Sequence, residues 1–291
     1  MNLKYQTALI LSTVNFLFAN SELSTVNFEV SDGKIIPNFI YPIYWKDDLF
    51  STIGYLNYID MKSKDIDYGK TSSSYEEQQI YINILSKKYK FDNYSFSIGA
   101  NANLIKFKNS EFGFINHLKN MTVIDNRVDI DVTQFGFSAN FSKSINNWLF
   151  FRISGDIYPS SNIYFEQTTT SLIDNKKAIY SGSASANTSY SALFELTAKT
   201  DLPIFFGLEA SYDFFALKYK FIDANFNLQD FNGEIETTHI LFKTIINYKI
   251  FGEMNPSIGI GRRNIKNRNL LENSFENINE KIWRIGAEKR F

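Results

Sequence analysis

The chain has 291 residues, 30 basic against 31 acidic, with a formal net charge of -1. That balance leaves no electrostatic footprint for nucleic acid or for a polybasic membrane-surface protein. Aromatic residues make up 16% of it, 28 Phe and 17 Tyr among them, while cysteine is absent, which excludes disulfides, thiolate metal sites and cysteine nucleophiles.

At the N-terminus Lys4 supplies a positive charge, Ala8 to Phe18 is mostly apolar, and Ala19-Asn20-Ser21 offers small residues where a signal peptidase reads. The apolar run is broken by Ser12, Thr13 and Asn15 and is shorter than the roughly 20 residues of a spanning helix. Residues 1–21 are therefore expected to be a signal peptide cleaved after Ser21. No later segment has the uninterrupted apolar length of a transmembrane helix, which excludes a helical inner-membrane protein.

Residues 22–48 read in two ways. Thr25 to Val30 and Ile35 to Trp45, joined by Ser31-Asp32-Gly33-Lys34, make a hairpin, with Tyr41, Tyr44 and Trp45 as an interfacial aromatic girdle beside Lys46-Asp47-Asp48. Pro37 and Pro42 donate nothing to a ladder and favour instead a periplasmic or lumen-filling segment.

From Leu49 to Phe291 the chain alternates apolar and polar residues, the mark of strands whose two faces meet different solvents. Phe96, Ile98, Ala100, Ala102 and Leu104 oppose Ser95, Ser97, Gly99, Asn101 and Asn103; Phe135, Phe137, Ala139 and Phe141 oppose Gln134, Gly136, Ser138 and Asn140. The same pattern recurs from Leu149 to Ile157, Tyr190 to Thr197, Phe206 to Phe214, His239 to Tyr248 and Ser257 to Arg263. The apolar faces carry no charge and the opposite faces carry the ionisable groups. In a bilayer this segregation is needed, because a lipid-facing charge costs roughly 2 to 4 kcal/mol at midplane and an open strand edge has no water to satisfy it.

Period two alone also fits a soluble sandwich, but the connections alternate in length. Short ones fall near Asp92-Asn93, Ser144 to Asn147, Thr200 to Pro203 and Lys249 to Gly252; long polar ones near Lys64 to Tyr75, Asn109 to Arg127, Ser160 to Lys177, Ile222 to Gly233 and Lys266 to Asn279. Tight periplasmic turns and longer extracellular loops predict an all-β transmembrane antiparallel up-and-down β-barrel over residues 49–291, of twelve strands if the hairpin joins it and ten if not.

The C-terminus reads Lys281-Ile282-Trp283-Arg284-Ile285-Gly286-Ala287-Glu288-Lys289-Arg290-Phe291, a period-two strand ending on an aromatic residue. It resembles the terminal strand of Gram-negative outer-membrane β-barrels, although Lys289 stands where that class has an apolar residue. The resemblance implies residence in the outer membrane, contact with its lipid and lipopolysaccharide, and recognition of Phe291 by the barrel assembly machinery.

Parity predicts an inward, pore-lining set of Arg152, Asp156, Glu195, Glu209, Asp213, His239, Lys243, Arg263 and Arg284. Register places Arg152 beside Glu195 and Glu209 beside Lys243. Acidic groups (Asp156, Glu195, Glu209, Asp213) gather on one wall and basic ones (Lys243, Arg263, Arg284, Arg290) on the strands that follow, so two readings stand: local ion pairs, or facing walls with a transverse field.

An enzyme of this architecture would need a histidine. His117 lies in an expected loop, and His239 points inward near Asp213. Omptin proteases use an Asp-x-His element; here Thr237-Thr238 precede His239, and Asp129-x-Asp131 has outward parity. No serine–histidine arrangement like that of the outer-membrane phospholipase is seen. There is no phosphate loop, metal-spaced cluster or nucleotide motif, so neither cofactor nor metal is expected. The sequence points first to a small passive channel for ions or small solutes, next to a structural or adhesive barrel acting through its extracellular loops, and last to a lumen-mouth hydrolase.

Overall fold

The structure, a computed structural model, describes residues 25–31, 34–66, 69–117, 120–171, 175–186, 188–222, 227–248, 254–269 and 274–288. The expected signal peptide, the turn at Lys249 to Gly252, Arg290 and Phe291 lie outside the described residues. In chain order the strands are β1 (Thr25–Ser31), β2 (Lys34–Tyr44), β3 (Leu49–Ile66), β4 (Gly69–Phe91), β5 (Tyr94–His117), β6 (Asn120–Ser144) and β7 (Leu149–Ser171). They continue as β8 (Lys177–Ala186), β9 (Ser189–Lys199), β10 (Ile204–Ile222), β11 (Leu228–Ile246), β12 (Asn255–Asn269) and β13 (Ser274–Glu288).

Every pairing is antiparallel, and β1 pairs with β13 from Thr25 opposite Glu288 to Ser31 opposite Ile282, which closes the sheet on itself. Both β8 and β9 pair with β7, on its upper and lower stretches, so they are two pieces of one strand. Thirteen segments thus make a twelve-stranded up-and-down barrel.

The N-terminal hairpin belongs to the wall. Each of its prolines is laddered on one side only: the β1–β2 ladder stops at Ile40, short of Pro42, and the β2–β3 ladder starts at Asn38, past Pro37. Missing N–H groups at those positions leave the other ladder intact. At the short-turn end, Asp47 and Asp48 in the four-residue β2–β3 connection and Asp92 in the two-residue β4–β5 turn adopt positive φ (60°, 59° and 37°), the left-handed conformation that lets tight turns follow the twist of the strands they join.

Outward side chains make an apolar band bounded by charge. On β5 it runs from Phe96 to Leu104 and ends at Lys106; on β6 from Phe141 to Phe135 and ends at Asp131, whose carboxylate lies 3.7 Å from the Lys106 ammonium. On β12 and β13 it ends at Arg262 and Lys281, which face each other across the ladder. Such a band of about ten residues per strand matches the hydrocarbon core. Trp45, Phe91, Tyr94, Trp148 and Tyr248 ring its lower edge, and Tyr190 stacks on Tyr212 and Phe214 at its upper edge, with ring centroids 5.9 and 5.1 Å apart.

Phe137 lies midway between Lys143 and Asp131 on the lipid side and is 63% exposed. Phe137→Arg is expected to cost about 2–4 kcal/mol in urea unfolding from lipid vesicles. A variant as stable as the parent would show that this side does not face hydrocarbon.

The long connections expected from sequence are instead mostly strand. β5 runs on to His117, β6 starts at Asn120, β7 reaches Ser171, and the other hairpins extend likewise. At roughly 3.4 Å per residue, the 24 residues of β5 span far more than the ~30 Å hydrocarbon layer. These extensions escaped the sequence reading because the phase of their pattern inverts above the band. There the outside is water, so Lys106, Lys108, Arg127, Asp129 and Asp131 point out, while Ile105, Ile130, Val132, Ile163 and Phe165 point in and are buried. Phe107, Val128, Tyr180, Ala184 and Phe215 pack around this interior cluster.

Candidate functional site

Below that apolar layer the inner face is polar, and its two sides differ. Along β4 to β7 it carries neutral side chains joined in rows, with Asp156 of β7 beside them: Gln79 donates to Asn103 (3.0 Å), Asn103 to Gln134 (3.1 Å) and Gln134 to Ser161 (2.7 Å). A second row has Asn83 donating to Ser138 at 2.8 Å. Such cross-strand amide and hydroxyl pairs satisfy buried polar groups without bringing in charge.

The other side, β7 and β9 to β13 with β1, carries an ion-pair chain. Arg152 and Glu195 are opposite in the β7–β9 ladder, as register predicted, and their side chains meet at 2.8 Å. Glu195 is in turn directly opposite Glu209, a like-charge pair that would repel. Lys243 resolves it, its ammonium reaching Glu195 (2.6 Å), Glu209 (3.3 Å) and Glu288 (3.2 Å). The Lys243 stem crosses Gly207, where a Cβ would fall 2.7 Å from Lys243 Cγ, so only glycine leaves it room.

From Glu209 the chain continues to Arg284 (2.7 Å), from Arg284 to Glu29 (3.4 Å), from Glu29 to Arg263, and from Arg263 to Glu280 (3.6 Å). Four cations thus alternate with five carboxylates along seven neighbouring strands, each charge held by at least one opposite charge.

The structure therefore corrects the picture of facing walls of opposite sign. The strands bearing acids and bases are adjacent in the closed sheet, so their charges neutralise at contact distance instead of opposing one another across the lumen. It also corrects the partner of His239. Thr237 is the residue opposite Asp213, whereas His239 is opposite Ser211 and has its Nδ1 3.8 Å from Glu209. His239 is 6% exposed, and its Nε2 has no hydrogen-bond partner among the described residues.

Asp156 stands apart from the chain, accepting hydrogen bonds from Asn101 (2.7 Å), Ser191 (3.2 Å) and Tyr81 (3.4 Å), all neutral. Asp213, on the inward face of β10, is solvent-exposed, as is Ile40 on the inward face of β2. Space for water therefore remains inside the barrel beside both.

Glu29, Glu280 and Glu288 belong to the same chain and were missed from sequence. Their signal was present as parity. Glu280 and Glu288 alternate in step with Arg284, and Glu29 in step with Asn27 against Val26, Phe28 and Val30.

No protein-family model matches the chain, and no curated protein matches it in sequence. Solved structures do match. The translocator domain of the autotransporter NalP from Neisseria meningitidis is similar at a TM-score of 0.52 and 8% identity, over 99% of this chain and 95% of that one. The Ralstonia pickettii toluene transporter TbuX aligns at 0.46 and 7% identity, over 92% and 88% of the two chains. A Pseudomonas aeruginosa FadL homologue aligns at 0.47 and 8%, over the same shares. At 8% identity the first of these shows likeness of fold alone; with the closed sheet and its outward apolar band, the chain is a twelve-stranded transmembrane β-barrel of the outer-membrane type.

Proposed function

We propose that this chain is a passive channel for ions and small solutes across the outer membrane, in contact with lipopolysaccharide on its outer side and recognised during assembly through Phe291. The observation that supports it is the inner face of a closed twelve-strand sheet, which carries polar and charged side chains at several heights of the membrane span, with buried Ile36, Leu241, Ile245 and Ile282 among them and with Asp213 and Ile40 open to water. A barrel of about 8 strands is filled by its side chains and one of 16 to 18 leaves an aqueous channel, so twelve strands give a narrow path. Charge on such a path tunes which ions enter. Asp156 and Asp213, outside the ion-pair chain, favour cations.

Refolded protein in planar bilayers tests this. Stepwise currents are expected, with a cation preference that Asp213→Asn weakens; this carboxylate has no ion pair within 4.0 Å among the described residues, so its removal leaves the wall intact. Silence of the inserted barrel over the full voltage range, even after Phe165→Ser opens the apolar layer, would remove the reading.

One observation favours a second reading, a barrel acting through its exterior: the β4 to β7 hairpins project well beyond the bilayer with a dry interior. It predicts that insertion without current accompanies binding of whole cells to a surface.

A further inference from the structure

The β7–β8 hairpin is interrupted in both legs at one height. In the β6–β7 ladder Phe137 is opposite Ile157 and Phe135 is opposite Ser160, so Tyr158 and Pro159 form a bulge. In the neighbouring strand β8 ends at Ala186 and β9 begins at Ser189, and register puts these breaks side by side: Tyr158 opposite Ser189, Ser161 opposite Ala186. The Thr188 hydroxyl donates to the Pro159 carbonyl at 3.4 Å across the two interruptions. Gly136 passes the bulge so closely that a Cβ there would sit 2.1 Å from the Ile157 carbonyl oxygen.

Above that line the wall is joined on one side only. β7 stays laddered to β6 as far as Ser171. On the other side β10 pairs with β9 only up to Phe214, and beyond it β8 and β10 lie next to each other with no ladder between their described residues. The seam starts at the upper aromatic girdle, where water is available to strand edges that hydrocarbon would not tolerate.

Among the described residues two contacts bridge the seam. The buried Gln167 side chain treats Ile222 as a strand partner: its amide nitrogen donates to the Ile222 carbonyl at 2.8 Å, and the Ile222 N–H donates to its amide oxygen at 2.6 Å. The same nitrogen lies 2.9 Å from Asn126 Oδ1 and 3.2 Å from Thr169 Oγ1, which fixes the amide orientation. Beneath it Phe215 of β10 packs on the cluster that contains Phe165 and Ile163, 1% and 2% exposed.

We infer that the β7–β8 hairpin above Pro159 is a lid: Gln167 is its latch to β10, Phe165 and Ile163 are the apolar stopper on its inner face, and its release opens the extracellular mouth of the lumen. The inference rests on the channel reading above for what passes beneath the lid. Side-chain bonds to one residue and an apolar contact are fewer ties than a continuous ladder, so the seam is where this wall separates first. An apolar constriction also blocks ions by excluding water, and parting it restores the path.

Thiol labelling reads the movement without reference to current. The chain has no cysteine, so Phe165→Cys places a single thiol under the lid. Its modification by a bulky, water-soluble maleimide in vesicle-inserted protein is expected to be about tenfold faster when Gln167→Ala is added, the effect of losing two buried hydrogen bonds. Ile163→Cys repeats the test if the first variant does not fold, as judged by mobility before and after boiling. In planar bilayers Gln167→Ala on the parent background is expected to raise the open fraction by a similar factor.

Equal labelling with and without Gln167 overturns the lid, whatever the currents show. Faster labelling with no current from any variant, Phe165→Ser included, overturns the channel and with it the role of the lid. Faster labelling together with a higher open fraction supports both.

Discussion

Removal of the β1–β2 hairpin, Thr25 to Tyr44, is expected to leave a chain that never reaches the folded state: unboiled and boiled samples should migrate alike, and no protein should insert into vesicles. Through this hairpin β13 and β3 find partners, and without it both present unpaired N–H and C=O groups to lipid, each costing several kcal/mol. Closing the remaining strands on themselves does not rescue the fold. A ten-strand barrel is narrower, and it would have to hold Arg263 and Arg284 without Glu29, the carboxylate that both share. Recovery of a folded, heat-modifiable species from the truncated chain would show that the hairpin is an accessory to a self-sufficient ten-strand wall.

Lys243→Ala is the point substitution with the largest expected effect, a loss of about 3–5 kcal/mol, since removing one partner of a buried ion pair leaves the other charges uncompensated. Here three carboxylates are left. Glu195 and Glu209 are already opposed across the β9–β10 ladder, and Glu288 joins them from β13. Arg152 and Arg284 remain in reach of two of the three, which keeps the loss within that range. Urea unfolding from vesicles measures it, and adding Glu195→Gln to Lys243→Ala should recover part of it, a coupling that a double-mutant cycle isolates. A loss below ~1 kcal/mol, the range of exposed pairs, would mean that lumen water solvates these carboxylates as bulk water does.

The membrane-spanning strands were legible because their pattern has a single cause. Lipid outside and polar surroundings inside sort Phe96, Ile98 and Ala100 from Ser97, Gly99 and Asn101 at every second residue, and the structure places them on opposite faces. The short turns at 92–93, 145–148 and 200–203 were legible for a related reason: each interrupts the alternation. Above the bilayer the rule reverses, so Ile105 and Phe107 point in while Lys106 and Lys108 point out, and a reading tuned to apolar-outward strands took those segments for loops.

Local sequence by itself determined the period of the membrane-spanning stretches and the face of the charged residues within them: Arg152, Glu195, Glu209, Lys243, Arg263 and Arg284 follow from parity alone. Which charges meet was decided by the tertiary structure. Lys243 lies 48 residues from Glu195 and 45 from Glu288, and Arg284 lies 255 from Glu29. Those contacts exist only because the sheet closes and sets the height of each strand against the next, and closure joins the first strand to the last, a relation no local pattern encodes. The seam between β8 and β10 has the same origin, since the lack of a ladder is a property of two strands that are neighbours in space and of neither strand alone.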